Sequence, residues 1–152
     1  MNVIKEYSKI INSEEFNQFK KENPDAILAN VFLDKNGWQF NYLCNNKMIS
    51  FYLEDELIKT EESEVYEKQK DLEELKIEEL KIDLEKAEEI IKKVSDEEAT
   101  KKIIILQQKE VPIWNITYIT SSLNVVNLRV NAISGEVLEQ KSENIMNFKG
   151  DQ

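Results

Sequence analysis

Apolar and polar positions alternate at period two through most of the chain, and the alternation comes in two blocks. In the first, "ILANVFL" at residues 27–33 reads as a strand. Trp38, Phe40 and Tyr42 then alternate with Gln39, Asn41 and Leu43, and "MISFYL" at 48–53 reads as a third strand. Asn36-Gly37 between the first two predicts a type I′ hairpin, which needs positive φ at both central residues. Asn45 to Lys47 is a second turn, and Glu54-Asp55-Glu56 is a polar turn into Leu57-Ile58. In the second block, "IIIL" at 103–106 predicts a buried β-branched strand and Gln107 to Glu110 a turn. "IWNITYIT" at 113–120 and "NVVNLRV" at 124–130 then form strands joined by Ser121-Ser122-Leu123.

Helical spacing precedes each block. Residues 12–22 carry Phe16 and Phe19 on one face, with Asn12 or Ser13 able to cap and Glu14 and Glu15 in the first turn; Asn23-Pro24 stops the helix. Residues 83–94 place Leu84, Ala87, Ile91 and Val94 on one face behind Asp83 as N-cap. Two readings of the stretch before it stay open. Either "ELKIDL" at 79–84 is a strand, or Ile77 and Leu80 extend the stripe into one longer helix. Ser95 and Glu98 form a capping-box pattern for a short second helical segment. The charged stretch 59–76 reads as a linker or a solvated helix.

The two blocks repeat one order. Trp38-Gln39-Phe40-Asn41-Tyr42-Leu43 lies over Trp114-Asn115-Ile116-Thr117-Tyr118-Ile119, and Ile49 to Leu53 lies over Val126 to Val130. An internal duplication accounts for this. Gly135 then serves a turn from the strand at 124–132 into Val137-Leu138, where positive φ is needed. The matching turn at Glu54 to Glu56 has no glycine and is expected to be looser.

The stretch "WNITYITSSLNVVNLRVNAISGEVLEQ", with Asn131-Ala132-Ile133-Ser134-Gly135-Glu136-Val137 at its turn and "KIDLEKAEEII" before it, resembles the C-terminal half of the PepSY domain. The resemblance covers about residues 80–140 and extends weakly to 12–60 through the repeat. Asn131 and Ser134 stand where the family carries Asp and Thr. The resemblance implies an α+β fold of two tandem helix-plus-antiparallel-sheet units, PepSY/cystatin-like, with one continuous sheet as the alternative arrangement. The expected organisation is a first repeat at 1–60, a charged linker or helix at 61–78, and a second, PepSY-like repeat at 79–152. It also implies a non-catalytic binding or regulatory role. Family members are mostly secreted or membrane-attached, and some accompany peptidases as propeptide or inhibitory segments.

Charge narrows the partners. Lys and Arg number 20 against 30 Asp and Glu, a formal net charge of −10. That balance argues against phosphate backbones and anionic lipid surfaces. There is no histidine, which removes His-dependent nucleophile activation and His-ligated zinc. The one cysteine, Cys44, permits no internal disulfide and fits a reducing compartment. No apolar stretch of signal-peptide or membrane-span length is present, so the expected location is the cytoplasm. Asn115-Ile116-Thr117 matches a glycosylation sequon by chance on this reading.

Candidate chemistry is sparse. The carboxylates of Glu54, Asp55 and Glu56, followed by Glu61, Glu62 and Glu64, lack calcium-loop spacing and read as a solvated turn. The three glycines, at 37, 135 and 150, are too scattered for a phosphate loop. No catalytic residue, cofactor or metal is expected. The aromatic row of Trp38, Phe40, Tyr42, Trp114 and Tyr118 reads as one sheet face packed under the helices. The opposite face carries Gln39, Asn41, Asn115, Thr117, Asn127, Arg129 and Asn131, with Leu43, Ile119 and Val125 among them. That face, or an edge strand beside it, is the expected site for a protein partner or self-association, a homodimer included. Asn41, Asn115, Thr117, Asn127 and Arg129 are its candidate residues. A structural homo-oligomer is the alternative function, and a carboxylate-based cation binder or enzyme the least favoured.

Overall fold

The alternating segments need a neighbour on each side for their backbone amides and a helix over their apolar face. The computed structural model, which describes residues 2–65 and 72–145, supplies both. Two short helices lead: α1 (Val3–Ile11) and α2 (Glu14–Glu22). A first meander follows, β1 (Ile27–Asp34), β2 (Gly37–Cys44), β3 (Lys47–Glu54) and β4 (Leu57–Glu64). A 3-10 turn at Ile77–Glu79 and helix α3 (Leu84–Val94) lead into a second meander, β5 (Ala99–Lys109), β6 (Val111–Thr120), β7 (Asn124–Asn131) and β8 (Val137–Asn144).

All eight strands join one sheet in the order β4-β3-β2-β1-β5-β6-β7-β8, each antiparallel to its neighbours. The architecture is α+β with a continuous sheet; the two units do not close separately. The meanders grow outward from the β1–β5 seam, so the order reads alike from either edge. Phe32 pairs with Ile105 at the centre of the seam. Leu33 and Leu106 flank that pair, and they face Trp38 and Trp114 respectively. One step further, Phe51 pairs with Phe40 as Leu128 pairs with Ile116. The registers therefore superpose the same residues that the sequence alignment superposed, about an approximate two-fold axis through Phe32 and Ile105.

The helices cover one face. Trp38, Phe40, Tyr42, Trp114 and Tyr118 all lie under them, none more than 4% exposed. In α1, Val3, Tyr7 and Ile10 point at the sheet, and Asn2 caps by accepting from the amides of Ile4 and Lys5. Ser13 caps α2, and Asp83 caps α3 through the Lys86 amide at 2.9 Å. Ala87 and Ile91 of α3 are fully buried. The segment entering α3 is fastened at both ends. Leu75 N–H donates to the Leu28 carbonyl at 2.8 Å, and Lys81 and Ile82 both donate to the Ala132 carbonyl.

Several local expectations are revised. Helix α1 adds to the elements expected from the sequence; Glu6 is half-buried at the margin of its sheet-facing side and leaves the Val3-Tyr7-Ile10 spacing intact. Of the charged stretch 59–76, residues up to Glu64 complete edge strand β4, and residues 66–71 lie outside the described residues, as do residues 146–152 of the expected second repeat. Residues 79–84 form no strand, and the 3-10 turn at Ile77–Glu79 stops the stripe from becoming one long helix. Residues 95–98 are irregular, without a second helical segment. Residues 107–109 extend β5, leaving Glu110 alone at positive φ to turn the chain. The first hairpin turns at Lys35-Asn36, with Gly37 at φ 116 and Asn36 outside the positive-φ residues, so it is not type I′. Asp34 accepts from the Asn36 amide at 2.7 Å to stabilise it. The Glu54–Leu57 hairpin is tight: Asp55 and Glu56 take φ of 51 and 65 without glycine.

Candidate functional site

Among the described residues no helix covers the face opposite the aromatic row. Registers put Asn30, Gln39, Asn41 and Ser50 there in the first meander and Asn115, Thr117, Asn127 and Arg129 in the second. All are on interior strands. Their backbones are already paired on both sides, and the edge strands beside the face are β4 and β8. The true edges, β4 and β8, carry Lys59, Glu61, Glu62 and Glu64, and Glu139, Lys141 and Glu143. Such charge blunts edge-to-edge pairing.

The polar side chains form two plates. In the first, Asn41 donates to Asn30 Oδ1 at 2.7 Å and accepts from Gln39 at 3.0 Å and from the Ser50 hydroxyl at 2.6 Å. Those neighbours leave Asn41 only 3% exposed. In the second, Asn127 Nδ2 donates to Asn115 Oδ1 at 2.8 Å and Thr117 Oγ1 at 2.9 Å. Arg129 pairs with Glu139 across the strands at 3.4 Å, and Lys141 reaches the same carboxylate at 3.0 Å. The hydrogen bond from Lys141 and its charge, with Arg129 adding, hold Glu139 below the ordinary carboxylate range. Arg129 Nε is buried with no acceptor among the described residues.

Asn41 and Thr117 each stand three residues after their tryptophan, so the plates occupy equivalent places about the two-fold axis. Between them lies an apolar centre. Phe32 is 38% and Ile103 39% exposed, and Ile105 completes the patch. Sequence reasoning assigned "IIIL" to the core. The registers divide the run: Ile104 and Leu106 face the helices, and Ile103 and Ile105 face out.

The charge distribution sets this face apart. Away from strand ends, the six interior strands place two charged side chains on it, Lys101 and Arg129, although the chain carries 50 charged residues (20 basic plus 30 acidic). Asn41, Asn115, Thr117, Asn127 and Arg129 are thus brought together on one surface, divided between two plates.

The helix side holds a second polar cluster. Tyr118 donates its hydroxyl to Glu88, Lys102 Nζ sits 2.9 Å from the same carboxylate, and the lysine lies 5.1 Å from the Tyr118 ring centroid. Burial pushes the Glu88 carboxyl up, but the hydrogen bonds from Tyr118 and Lys102 outweigh it and hold the group below its ordinary range. Burial, then the bond to Glu88, push the Tyr118 phenol up. At neutral pH Glu88 is therefore a carboxylate and Tyr118 a neutral phenol, and their contact with Lys102 ties α3 to the sheet. In the first half the equivalent contact is Tyr7 to Tyr42, oxygen to oxygen at 2.6 Å, and burial raises both phenols. Cys44 donates its thiol to Asn23 at 2.9 Å. Among the described residues, no group of three or more Cys, Asp or Glu is placed to hold a metal ion.

The Gly135 turn is structural. Asn131 Oδ1 accepts from the amides of Ile133 and Ser134, Gly135 takes φ 83, and Ala132 presents its carbonyl to the segment entering α3.

No protein-family model and no curated protein matches the chain. Among solved structures it is similar to the crystal structure of a putative lipoprotein from Clostridium difficile 630, with a TM-score of 0.61 and 18% identity over 86% of this chain and 91% of that one. At that identity the likeness concerns the fold. No described helix is long and apolar enough to cross a membrane.

Proposed function

We propose that the protein is a non-catalytic binding module, of PepSY-like type, that engages a protein surface through the open face of its sheet. The observation that carries the reading is the charge depletion of that face. Interface cores are poor in charge and rich in residues that pack or share hydrogen bonds. Here the amides of Asn30, Gln39 and Asn41 and of Asn115 and Asn127 flank Phe32 and Ile103. An antiparallel sheet can leave one face wet, but a merely solvated face in so highly charged a chain would carry its share of Lys and Glu. A protein partner is preferred to nucleic acid or anionic lipid, which call for a clustered basic surface, whereas Arg129 and Lys141 on this face are paired with Glu139. A cytoplasmic setting stays part of the proposal, with Cys44 as a free thiol.

The test replaces Asn115 or Thr117, both half-buried in the second plate, by Lys and measures partner capture beside the melting temperature. Capture lost with melting retained supports the reading. Capture unchanged by both substitutions, with a Glu89→Lys control on α3 behaving the same, sinks it.

A further inference from the structure

Resting on that binding reading, we infer that the partner of the open face is a second copy of this chain, docked face to face as a two-fold dimer. Three features of the face specify this occupant. First, it is self-complementary. Asn and Gln side chains each carry donors and an acceptor, so an amide plate meets its own copy without leaving groups unpaired. A face of one charge sign would repel itself, and a partner with an ordinary charged surface would have to desolvate those charges against neutral amides.

Second, the layout of the face satisfies the symmetry. An isologous interface requires a patch that matches itself under rotation. The Phe32–Ile105 pair of the apolar centre lies on the internal two-fold axis, with Ile103 beside it and one plate to each side. A dimer axis lying in the sheet plane through that centre sets apolar on apolar and plate on plate. Sheets packed in this way sit about 10 Å apart.

Third, the size is sufficient and growth is limited. The six interior strands, spaced by about 4.8 Å and rising about 3.3 Å per residue over 8 residues, give a footprint of about 760 Å². Stable pairs bury about 800 Å² per partner. The charged edges β4 and β8 oppose lateral addition, so association through the face closes at two copies.

Sedimentation across the micromolar range reads the outcome directly. The 17.9 kDa chain is expected to run at twice its mass. Phe32→Lys and Ile103→Lys, at side chains already more than a third exposed, are expected to keep the wild-type circular dichroism and melting curve while weakening self-association by about tenfold or more. Leu57→Lys, at a 60% exposed side chain on edge strand β4, is expected to leave the mass unchanged. A wild-type monomer throughout the range overturns the inference, as does a dimer that survives both face substitutions. If that monomer still captures another protein and Phe32→Lys abolishes the capture, the second copy is wrong and the binding reading stands. If it captures nothing that Phe32→Lys removes, both fall.

Discussion

The two halves share a strand plan and differ in what covers it. The first half packs two helices on its meander, and Tyr7, Phe16 and Phe19 meet Phe40, Tyr42 and Phe51 in an aromatic cluster with ring centroids 5.0–6.0 Å apart. The second half has α3 alone, and its cover is aliphatic: Ala87 and Ile91 share the core with Ile116 and Leu128. Cover chemistry is thus free to vary while register is held. The tryptophans sharpen the contrast. The rings lie 6.0 Å apart across the seam, yet Trp114 Nε1 donates to the Ile82 carbonyl at 2.7 Å, whereas Trp38 Nε1 is buried without an acceptor. The segment entering α3 supplies a carbonyl that has no counterpart among the described residues of the first half.

The largest expected effect comes from removing these rings. Trp38→Ala and Trp114→Ala should each cost about 3–5 kcal/mol in urea unfolding, since both are core anchors. Replacement by Phe separates them. Trp114→Phe also strips the Ile82 carbonyl of its donor and should cost about 1–3 kcal/mol more than Trp38→Phe. Equal costs would show that the two indoles are equally satisfied.

The turns give the next contrast. Gly135→Ala forces a Cβ onto φ 83 and should destabilise by about 1–2 kcal/mol. Glu56→Gly relieves φ 65 in the matching hairpin. Its gain, offset by the added freedom of glycine in the unfolded chain, should be about 0.5 kcal/mol.

The helix anchors respond to pH differently. Glu88 is ionised more readily in the fold than in the unfolded chain, so its contribution is present above the unfolded carboxylate value of about 4.3 and fades as pH falls through the lower folded value. Glu88→Gln should cost about 1–2 kcal/mol at neutral pH. The gap from wild type should narrow as pH falls below the unfolded carboxylate value of about 4.3 and close below the lower folded value. Tyr7→Phe, at the equivalent contact, should show a cost that does not change over the same acid range. A Glu88→Gln deficit that persists in acid would mean the loss is one of packing.

The strands, their pairing order within each meander and the two-sided alternation were legible from Trp38, Phe40 and Tyr42 and their counterparts, because period two maps directly onto faces. The amide-bearing residues of the open face were legible for the same reason. Three features were not. The seam depends on β1 pairing with β5, and no local pattern reports a contact between segments so far apart in sequence. The apolar centre at Phe32, Ile103 and Ile105 was hidden because a continuous apolar run does not say which of its members face the helices. The turns at Asp55-Glu56 and Lys35-Asn36 depart from residue preference, because the strand registers on either side dictate their backbone.

The fastening of Leu75 to Leu28 and of Lys81 and Ile82 to Ala132 has a kinetic consequence. Each meander is built from neighbouring hairpins and closes only short loops, whereas the seam from Asn30 to Leu33 against Ile104 to Gln107 must close a loop of more than seventy residues. The strap between Leu75 and Ile82 is tethered to a meander at each end, so it shortens that search once either meander has formed. Substitutions at the seam should therefore speed unfolding and leave refolding rates nearly unchanged, while substitutions at Phe40 or Ile116 slow refolding. A seam that retarded refolding as much as the hairpins do would mean the chain commits to its central pairing first.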